Sequence, residues 1–482
     1  MPLTRTSGKE RRGTMVGSTA LRAAFARRLS TMYGTEVPAY NTLVDVAQEV
    51  NGEVMERMGA GAERLGSIGR VTAERHGAIR VGTPAELAQV ARIFGAMGMY
   101  PVGYYDLREA AGSSVPVVST AFRPVDEAEL AANPFRVFTS MLVTGDRRFF
   151  DEDLERRLGE FLGARRLFPP RLLDLADRAE AEGGLDDAAA EEFLTLATRA
   201  FELSAEPVSR SWYAELERVS AVAADIGGVA STHINHLTPR VLDIDALYAR
   251  MSERGITMID AIQGPPRWDG PDLLLRQTSF RALAEPRLFK EDDGGVVRDD
   301  LRVRFGEVEA RGIAVTPAGR ALYDDLSAEL DVMLAGRSAT AEERNELAAK
   351  LWEGRVPRSE AELVTGDLAY FTFHVRDARP GAAPPADLTA LLSEGWVSAR
   401  PIVYEDFLPR SAAGIFQSNL TSDGTKDATR TGADFGPDAL AGVLGRALHD
   451  PYELYASVRA ASLARVRAEL GLDSEITLPG AA

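Results

Sequence analysis

The chain has 482 residues, a formal net charge of −17 at pH 7 and no cysteine. The lack of cysteine excludes disulfides, thiolate metal sites and a cysteine nucleophile, so any metal ligand must be histidine, aspartate or glutamate. The acidic balance argues against general nucleic-acid binding, because phosphate neutralisation needs clustered lysine and arginine. With 45% hydrophobic residues and no apolar run of about 18 to 20 residues, the sequence predicts a cytoplasmic protein without a membrane span.

The N-terminal region, residues 1–70, is predicted to be helical. Its basic opening, RTSGKERRG, is not followed by the hydrophobic stretch of a signal peptide, which favours an irregular, solvated terminus over a targeting signal. From about Ala20 to Met58 the apolar spacing is that of amphipathic helices, and the stretch ALRAAFARRLSTMYG is expected to end at Gly34.

A first mixed segment, residues 71–145, follows the order strand, helix, strand, strand, strand. RHGAIRV alternates as a strand, and Thr83 with Glu86 forms a capping-box pattern at the start of the helix PAELAQVARIFGAMG. The runs YPVGYYDL, VPVVSTAFRPV and PFRVFTSMLVTG then read as three strands separated by turn residues. Residues 146–228 are charged, rich in alanine and helical in period, which predicts a helical insertion.

The same order recurs from about residue 229, which indicates an internal repeat. RHGAIRV aligns with NHLTPRV, so that His76 matches His236 within a twice-used His-x-x-x-Arg-Val pattern. STAFR, ending at Arg123, aligns with QTSFR, ending at Arg281, at almost the same distance from the histidine. Chance similarity rarely keeps its register over such an interval.

The repeat predicts the architecture. A strand-helix-strand-strand-strand (βαβββ) unit is too small to bury its own sheet face and is expected to pair with its twin. We therefore expect an α+β fold in which two modules, 71–145 and 229–318, form a curved eight-stranded sheet or barrel. The predicted flanking parts are the N-terminal helices, the insertion and a helical C-terminal region, 319–482, with a segment that covers the active site.

The repeat also distinguishes the two histidines of the HINH stretch. On a strand, residues three apart point to opposite faces, so His233 and His236 are not expected to share one site. Only His236 has a counterpart, His76, and the first strands of paired modules would bring these two side chains into one cavity. We expect His233 to be a packing or supporting residue.

A third ligand is expected from the fourth strand of a module. Aligning RVFTS with VRFGE places Ser140 opposite Glu307. Glu309 lies on the same strand face, so the pattern alone leaves the carboxylate ligand open between Glu307 and Glu309. Two histidines and one carboxylate suit non-haem Fe(II) better than a structural zinc ion, which four protein ligands would enclose.

Several strings make the chain similar to a known family. The paired modules resemble the vicinal oxygen chelate superfamily. ERHGAIRVGT, MGMYPVGYYDL, HINHLTPR, LLRQTSF, RFGEVEARGIAVTPAGRALYD and VYEDFLPRSAAGIFQSNL resemble the 2-oxoadipate dioxygenase/decarboxylase family, also called 2-hydroxyglutarate synthases, over roughly Met32 to Ala464. The resemblance implies an Fe(II)-dependent enzyme of lysine catabolism that converts 2-oxoadipate and O2 into 2-hydroxyglutarate and CO2.

The resemblance also implies roles for individual residues. The implied Fe(II) ligands are His76, His236 and Glu307. Arg80, which closes HGAIR, is implied as the residue that binds the substrate and supports catalysis, and Arg410 and Ser411 after YEDFLP as further substrate contacts. The alternatives are a metal-dependent isomerase or lyase of the same superfamily, and a non-catalytic sensor that binds a dicarboxylate.

Overall fold

The computed structural model describes residues 15–73, 75–109, 115–302, 304–378, 380–381, 383–419 and 425–479. The basic stretch RTSGKERRG, predicted to be irregular, lies outside these ranges. Within them, no helix combines the length and apolar character needed to cross a membrane.

The first half of the chain contains the N-terminal helices, the first module and the insertion. The N-terminal helices and the first module are α1 (Ser18–Glu36), α2 (Ala39–Met58), α3 (Ile68–Ala73), β1 (Arg75–Val81), α4 (Pro84–Gly95), β2 (Tyr100–Asp106), β3 (Val117–Arg123), α5 (Glu127–Ala132) and β4 (Arg136–Leu142), with a 3-10 helix at Gly59–Leu65. The insertion comprises α6 (Glu152–Ala164), α7 (Pro170–Glu182), α8 (Asp187–Arg199), β5 (Val208–Ser209), α9 (Arg210–Val219) and α10 (Ala221–Gly227).

The second half contains the second module and the C-terminal region. The second module comprises β6 (His236–Pro239), α11 (Ile244–Glu253), β7 (Leu275–Ser279), β8 (Glu285–Lys290), β9 (Val296–Leu301) and β10 (Glu307–Arg311). The C-terminal region comprises α12 (Pro317–Leu334), α13 (Ala341–Arg355), α14 (Glu360–Thr365), β11 (Phe371–Val375), α15 (Leu388–Ser393), β12 (Val397–Pro401), α16 (Pro409–Asn419), α17 (Pro437–Leu444) and α18 (Pro451–Leu470).

The first module follows the predicted order of strands, with an additional short helix, α5, between β3 and β4. The capping box is formed, because the Thr83 hydroxyl accepts from the Glu86 amide while the Glu86 carboxylate accepts from the Thr83 amide. The strands lie in the order β2-β3-β4-β1-β6, with β1 parallel to β4 and antiparallel to β6. α1 continues past the predicted end at Gly34 to Glu36, and the residue before Pro38 then ends it.

The two faces of strand β1 contact different parts of the protein. Ile79 and Val81 pack into the hydrophobic core with the N-terminal helices. Because side chains alternate along a strand, His76, Ala78 and Arg80 point to the opposite face. All three are buried there, so this second face is covered by the rest of the protein.

The second module differs from the prediction in its second strand. The predicted strand GITMIDAIQ is reduced to isolated bridges, Met258 to Phe280 and Gln263 to Gln277. Gly264 then adopts a φ of 100°, and prolines follow it, so the extended segment turns away from the sheet. The hairpin formed by β8 and β9 is inserted between β7 and β10 and pairs with β5 of the insertion.

The α+β class is confirmed, but the predicted eight-stranded sheet is not found as one ladder. The described residues form a five-stranded sheet and a separate two-stranded sheet of β10 and β7, and they form no closed barrel. A single parallel bridge from Arg240 to Glu309 connects the two sheets, supported by the Val241 amide, which donates to the Glu309 carbonyl at 2.8 Å. The C-terminal region is mainly helical but also contains the two-stranded sheet of β11 and β12.

Candidate metal centre

Three side chains meet where β1, β6 and β10 lie side by side. The antiparallel pairing of β1 with β6 sets His76 opposite Thr238 and His236 opposite Ala78, so both histidines lie on the same face of the pair. Glu307 begins β10, and its Oε1 lies 3.2 Å from His76 Nε2, while its Oε2 lies 3.6 Å from His236 Nε2.

These separations fit one coordination sphere. Two ligand atoms about 2.1 Å from an ion and at right angles to each other are about 3.0 Å apart. One donor atom from each of His76, His236 and Glu307 lies within 4.8 Å of the others, and the three residues are 1%, 4% and 3% exposed. Two nitrogens and one oxygen suit a first-row divalent ion such as Fe(II) and provide no soft thiolate ligand. The site could therefore hold a metal ion.

Each ligand candidate has a supporting polar neighbour. His76 Nδ1 lies 2.9 Å from Glu309 Oε2, and His236 Nδ1 lies 3.0 Å from Thr238 Oγ1. The Gln277 side-chain amide donates to Glu307 Oε1. These contacts leave Nε2 of both histidines directed toward Glu307, which is the arrangement a shared ion requires.

The charges of the site are set by burial and by carboxylates. Burial lowers the pKa of His236 to about 4, against a smaller opposing effect of Glu307, so its ring is neutral and able to bind a metal. For His76, burial also disfavours the charge, but Glu309 and Glu307 outweigh it and raise the pKa. Burial favours the neutral form of Glu309, yet Arg311 and His76 hold its pKa well below the ordinary value.

The strand register corrects the predicted match of Ser140 with Glu307. In the first module Arg80 pairs with Ser140, and in the second Arg240 pairs with Glu309. Ser140 is thus the structural counterpart of Glu309, two residues from Glu307. The inserted hairpin of β8 and β9 changes the spacing before β10, so local similarity alone gave the wrong register.

Arg80 lies on the same face of β1 as His76, four residues further along the strand. Its guanidinium forms an ion pair with Asp225 of α10, and both side chains are buried. Asp225 also accepts a hydrogen bond from the Asn235 amide at 2.9 Å. Sequence reasoning missed Asp225, which comes from the helical insertion and has no counterpart in the repeat.

His233 contacts the buried group formed by Arg80, Asp225 and Asn235, and not the three ligand candidates. Its Nε2 lies 3.1 Å from the Asn235 amide nitrogen and 3.4 Å from Asp225 Oδ1. Burial lowers the pKa of His233 to about 3, so a neutral ring accepts from Asn235.

Arg410 and Ser411 lie at the start of α16, away from the three ligand candidates. Both line a cavity of about 810 Å³ between α11, α12, α13, α16 and the loop at 260–267. Ser411 is buried, whereas Arg410 is partly exposed and forms an ion pair with Asp331. The other end of α16 contacts β7, the strand that pairs with β10, because the Asn419 amide donates to Ser279 Oγ at 2.8 Å.

Apolar rings cover the histidines. Phe407, just before α16, packs edge-on against His76 with ring centres 5.0 Å apart, and Phe305 stacks on His236 at 5.3 Å. These contacts remove the imidazoles from solvent while leaving the Nε2 atoms facing Glu307.

The comparison with known proteins assigns the chain to a family. The model of the 2-oxoadipate dioxygenase/decarboxylase family matches residues 25–419. The chain belongs to this family. A 2-oxoadipate dioxygenase/decarboxylase of Mycobacterium bovis is 57% identical over 435 residues, 90% of this chain and 95% of that protein.

Two further matches come from Pseudomonas putida. The P. putida 2-oxoadipate dioxygenase/decarboxylase is 41% identical over 469 residues, 95% of this chain and 98% of its own length. The crystal structure of P. putida hydroxyglutarate synthase in complex with 2-oxoadipate aligns with a TM-score of 0.81 and 40% identity, covering 95% of this chain and 99% of that one. The family predicted from the sequence is therefore confirmed.

Proposed function

We propose that this protein is an Fe(II)-dependent dioxygenase that converts 2-oxoadipate and O2 into 2-hydroxyglutarate and CO2. The six carbons and five oxygens of the keto acid, together with the two oxygens of O2, are accounted for by the five-carbon hydroxy acid and CO2. The observation that best supports the proposal is the buried meeting of His76, His236 and Glu307 in a member of this family.

The three side chains would hold Fe(II) and leave coordination positions open. Bound there, Fe(II) would supply coordination sites for the 2-oxo acid and dioxygen and would activate dioxygen, while the 2-oxo acid itself is the source of the electrons that reduce it. Glu307 compensates part of the metal charge, and Gln277 keeps its carboxylate in place through a hydrogen bond. The neutral ring of His236 is already in its ligating form near neutral pH.

Arg80 is proposed to bind a carboxylate of the substrate and so to orient it for the reaction. A planar guanidinium can hold a carboxylate through two hydrogen bonds, which a lysine cannot do. Asp225 fixes one edge of the guanidinium, and Asn235 in turn holds Asp225. A side chain ordered before the substrate arrives loses less conformational entropy on binding.

The C-terminal segment is proposed to cover the active site. Phe407 packs against His76, and α16 packs on β7 next to Glu307, and these two contacts support a covering role. Ser411 lines the cavity at the start of α16 and is proposed to contact the substrate there. Arg410 could add a second cationic contact only after it leaves Asp331.

The test is oxygen consumption by protein loaded with Fe(II) under anaerobic conditions and then mixed with 2-oxoadipate. We expect equimolar loss of O2 and formation of CO2 and 2-hydroxyglutarate. The Glu307→Gln variant should abolish all three, whereas the matched His233→Gln variant should retain them. Turnover without oxygen would instead indicate an isomerase or lyase, and tight binding without turnover would indicate a dicarboxylate sensor.

A further inference from the structure

We propose that Glu309 is a positioning residue for His76: it accepts the Nδ1 proton of His76 and thereby directs Nε2 to the metal. The inference rests on the proposed metal site, but it concerns a carboxylate outside the ligand set. It also addresses the choice between Glu307 and Glu309 that the sequence pattern left open.

The two nitrogens of His76 face two different carboxylates. Nδ1 lies 2.9 Å from Glu309 Oε2, and Nε2 lies 3.2 Å from Glu307 Oε1. His236 is also close to Glu307, at 3.6 Å, so Glu307 lies between the histidines and Glu309 lies behind one of them. A histidine that binds a metal commonly donates its other N–H to a carboxylate, which fixes its tautomer and ring orientation.

Glu309 is already committed to other partners. Arg311 donates to both of its carboxylate oxygens, at 2.8 Å each, and Arg136 Nη1 lies 3.8 Å from Oε1. Arg311 is itself fixed, because it also donates to the carbonyls of Tyr404 and Asp406 at 2.8 and 3.1 Å. Rotating Glu309 toward a metal would break a buried bidentate ion pair, so it is better placed to hold His76 than to replace Glu307.

The second histidine has a weaker partner at the same ring nitrogen, Nδ1. His236 Nδ1 lies 3.0 Å from the hydroxyl of Thr238, a neutral group. A hydrogen bond to an ionised acceptor is stronger than one to a neutral acceptor and makes the imidazole a more basic ligand. The two histidines therefore have Nδ1 partners of different strength, a carboxylate for His76 and a hydroxyl for His236. Thr238 provides a matched control for Glu309.

The experiment uses the full chain loaded with Co(II). Ring N–H protons of histidines bound to Co(II) give strongly shifted proton NMR signals that disappear when they exchange with D2O. We expect two such signals, with the His76 proton exchanging more slowly because it is held by Glu309. Glu309→Gln should alter that signal and lower Co(II) affinity, measured by chelator competition, by roughly 10- to 100-fold. Thr238→Val should alter the other signal and reduce affinity less.

Two results would overturn the inference. If Glu309→Gln loses Co(II) as completely as Glu307→Gln, Glu309 is a ligand; if it leaves both the affinity and the signals unchanged, it is only a scaffold residue. The wild-type protein tests the inference even if the variant fails to fold, because a fast-exchanging His76 proton would contradict it. Tight Co(II) binding with the expected signals but no oxygen consumption in the iron-loaded protein would refute the proposed function and leave the positioning role standing.

Discussion

Removing the Arg80 guanidinium should weaken substrate binding, but it also perturbs the fold. Arg80 and Asp225 form an ion pair in which the side chains are 3% and 2% exposed. Truncating one partner of a buried pair typically costs about 3 to 5 kcal/mol of stability, because the other charge is left uncompensated. Asp225 keeps the Asn235 amide at 2.9 Å, so we expect Arg80→Ala to fall at the lower end of that range.

A double variant separates the two effects. Asp225→Asn removes the charge that Arg80→Ala leaves behind, so Arg80→Ala/Asp225→Asn should recover much of the lost free energy of unfolding. It should not recover the interaction with the substrate, because the guanidinium is still absent. A lost charge-assisted hydrogen bond costs about 1.5 to 3 kcal/mol, or roughly ten- to a hundredfold in affinity. Arg80→Lys should restore only part of the substrate affinity, since an ammonium group cannot form the two parallel hydrogen bonds of a guanidinium.

The assay combines three measurements on the same preparations. Denaturant unfolding gives the free energy of unfolding, metal analysis gives iron content, and steady-state oxygen uptake with 2-oxoadipate gives KM and kcat. The reasoning is refuted if iron content falls with activity, because Arg80 would then support the metal ligands. It is also refuted if the double variant restores KM, because Arg80 would then be only the ion-pair partner of Asp225.

Three further predictions concern other parts of the chain. Replacing any one of the three proposed ligands with alanine should remove the metal, while His233→Ala should retain it; equal loss would refute the separation of the two sites. Because burial lowers the pKa of His233 from 6.5 to about 3, the unfolded chain binds a proton there between these pH values and the native state does not. Stability should thus fall as the pH drops through this window, and His233→Gln should show a shallower fall in denaturant unfolding. Arg410→Ala should cost less than about 1 kcal/mol, since its pair with Asp331 is some 40% exposed; a larger loss would show that the pair holds α16.

The parts of the fold that the sequence predicted correctly depend on neighbouring residues. The capping box needs only Thr83 and Glu86, three positions apart, and it forms as expected. The alternation of β1 depends on a period of two, and it places Ile79 in the core and His76 on the opposite face. The repeat added a long-range relation, because the same pattern recurs in two modules that pack against each other through β1 and β6.

The contacts that were missed join distant parts of the chain. Asp225 lies 145 residues from Arg80 in the sequence. It belongs to the helical insertion between the two modules, which the internal repeat does not include. Its helix is short and alanine-rich, and all seven of its residues are buried. The local pattern therefore shows a single aspartate among apolar residues but does not identify its distant partner. The division of the chain at residues 146 and 228 stays a prediction, but the insertion contributes a side chain to the Arg80 cluster and is more than a cover.

The register of β10 explains why the sequence could predict the face of the strand but not the ligand. Ser119 pairs with Ser140 in the first module and Gln277 pairs with Glu309 in the second, so the predicted match of Ser140 with Glu307 was wrong by two residues. Two residues are one full period of a strand, and a shift of that size leaves every side chain on its original face. Both glutamates therefore reach His76, and only packing distinguishes them, because Arg311 engages both oxygens of Glu309 while Glu307 faces the second histidine.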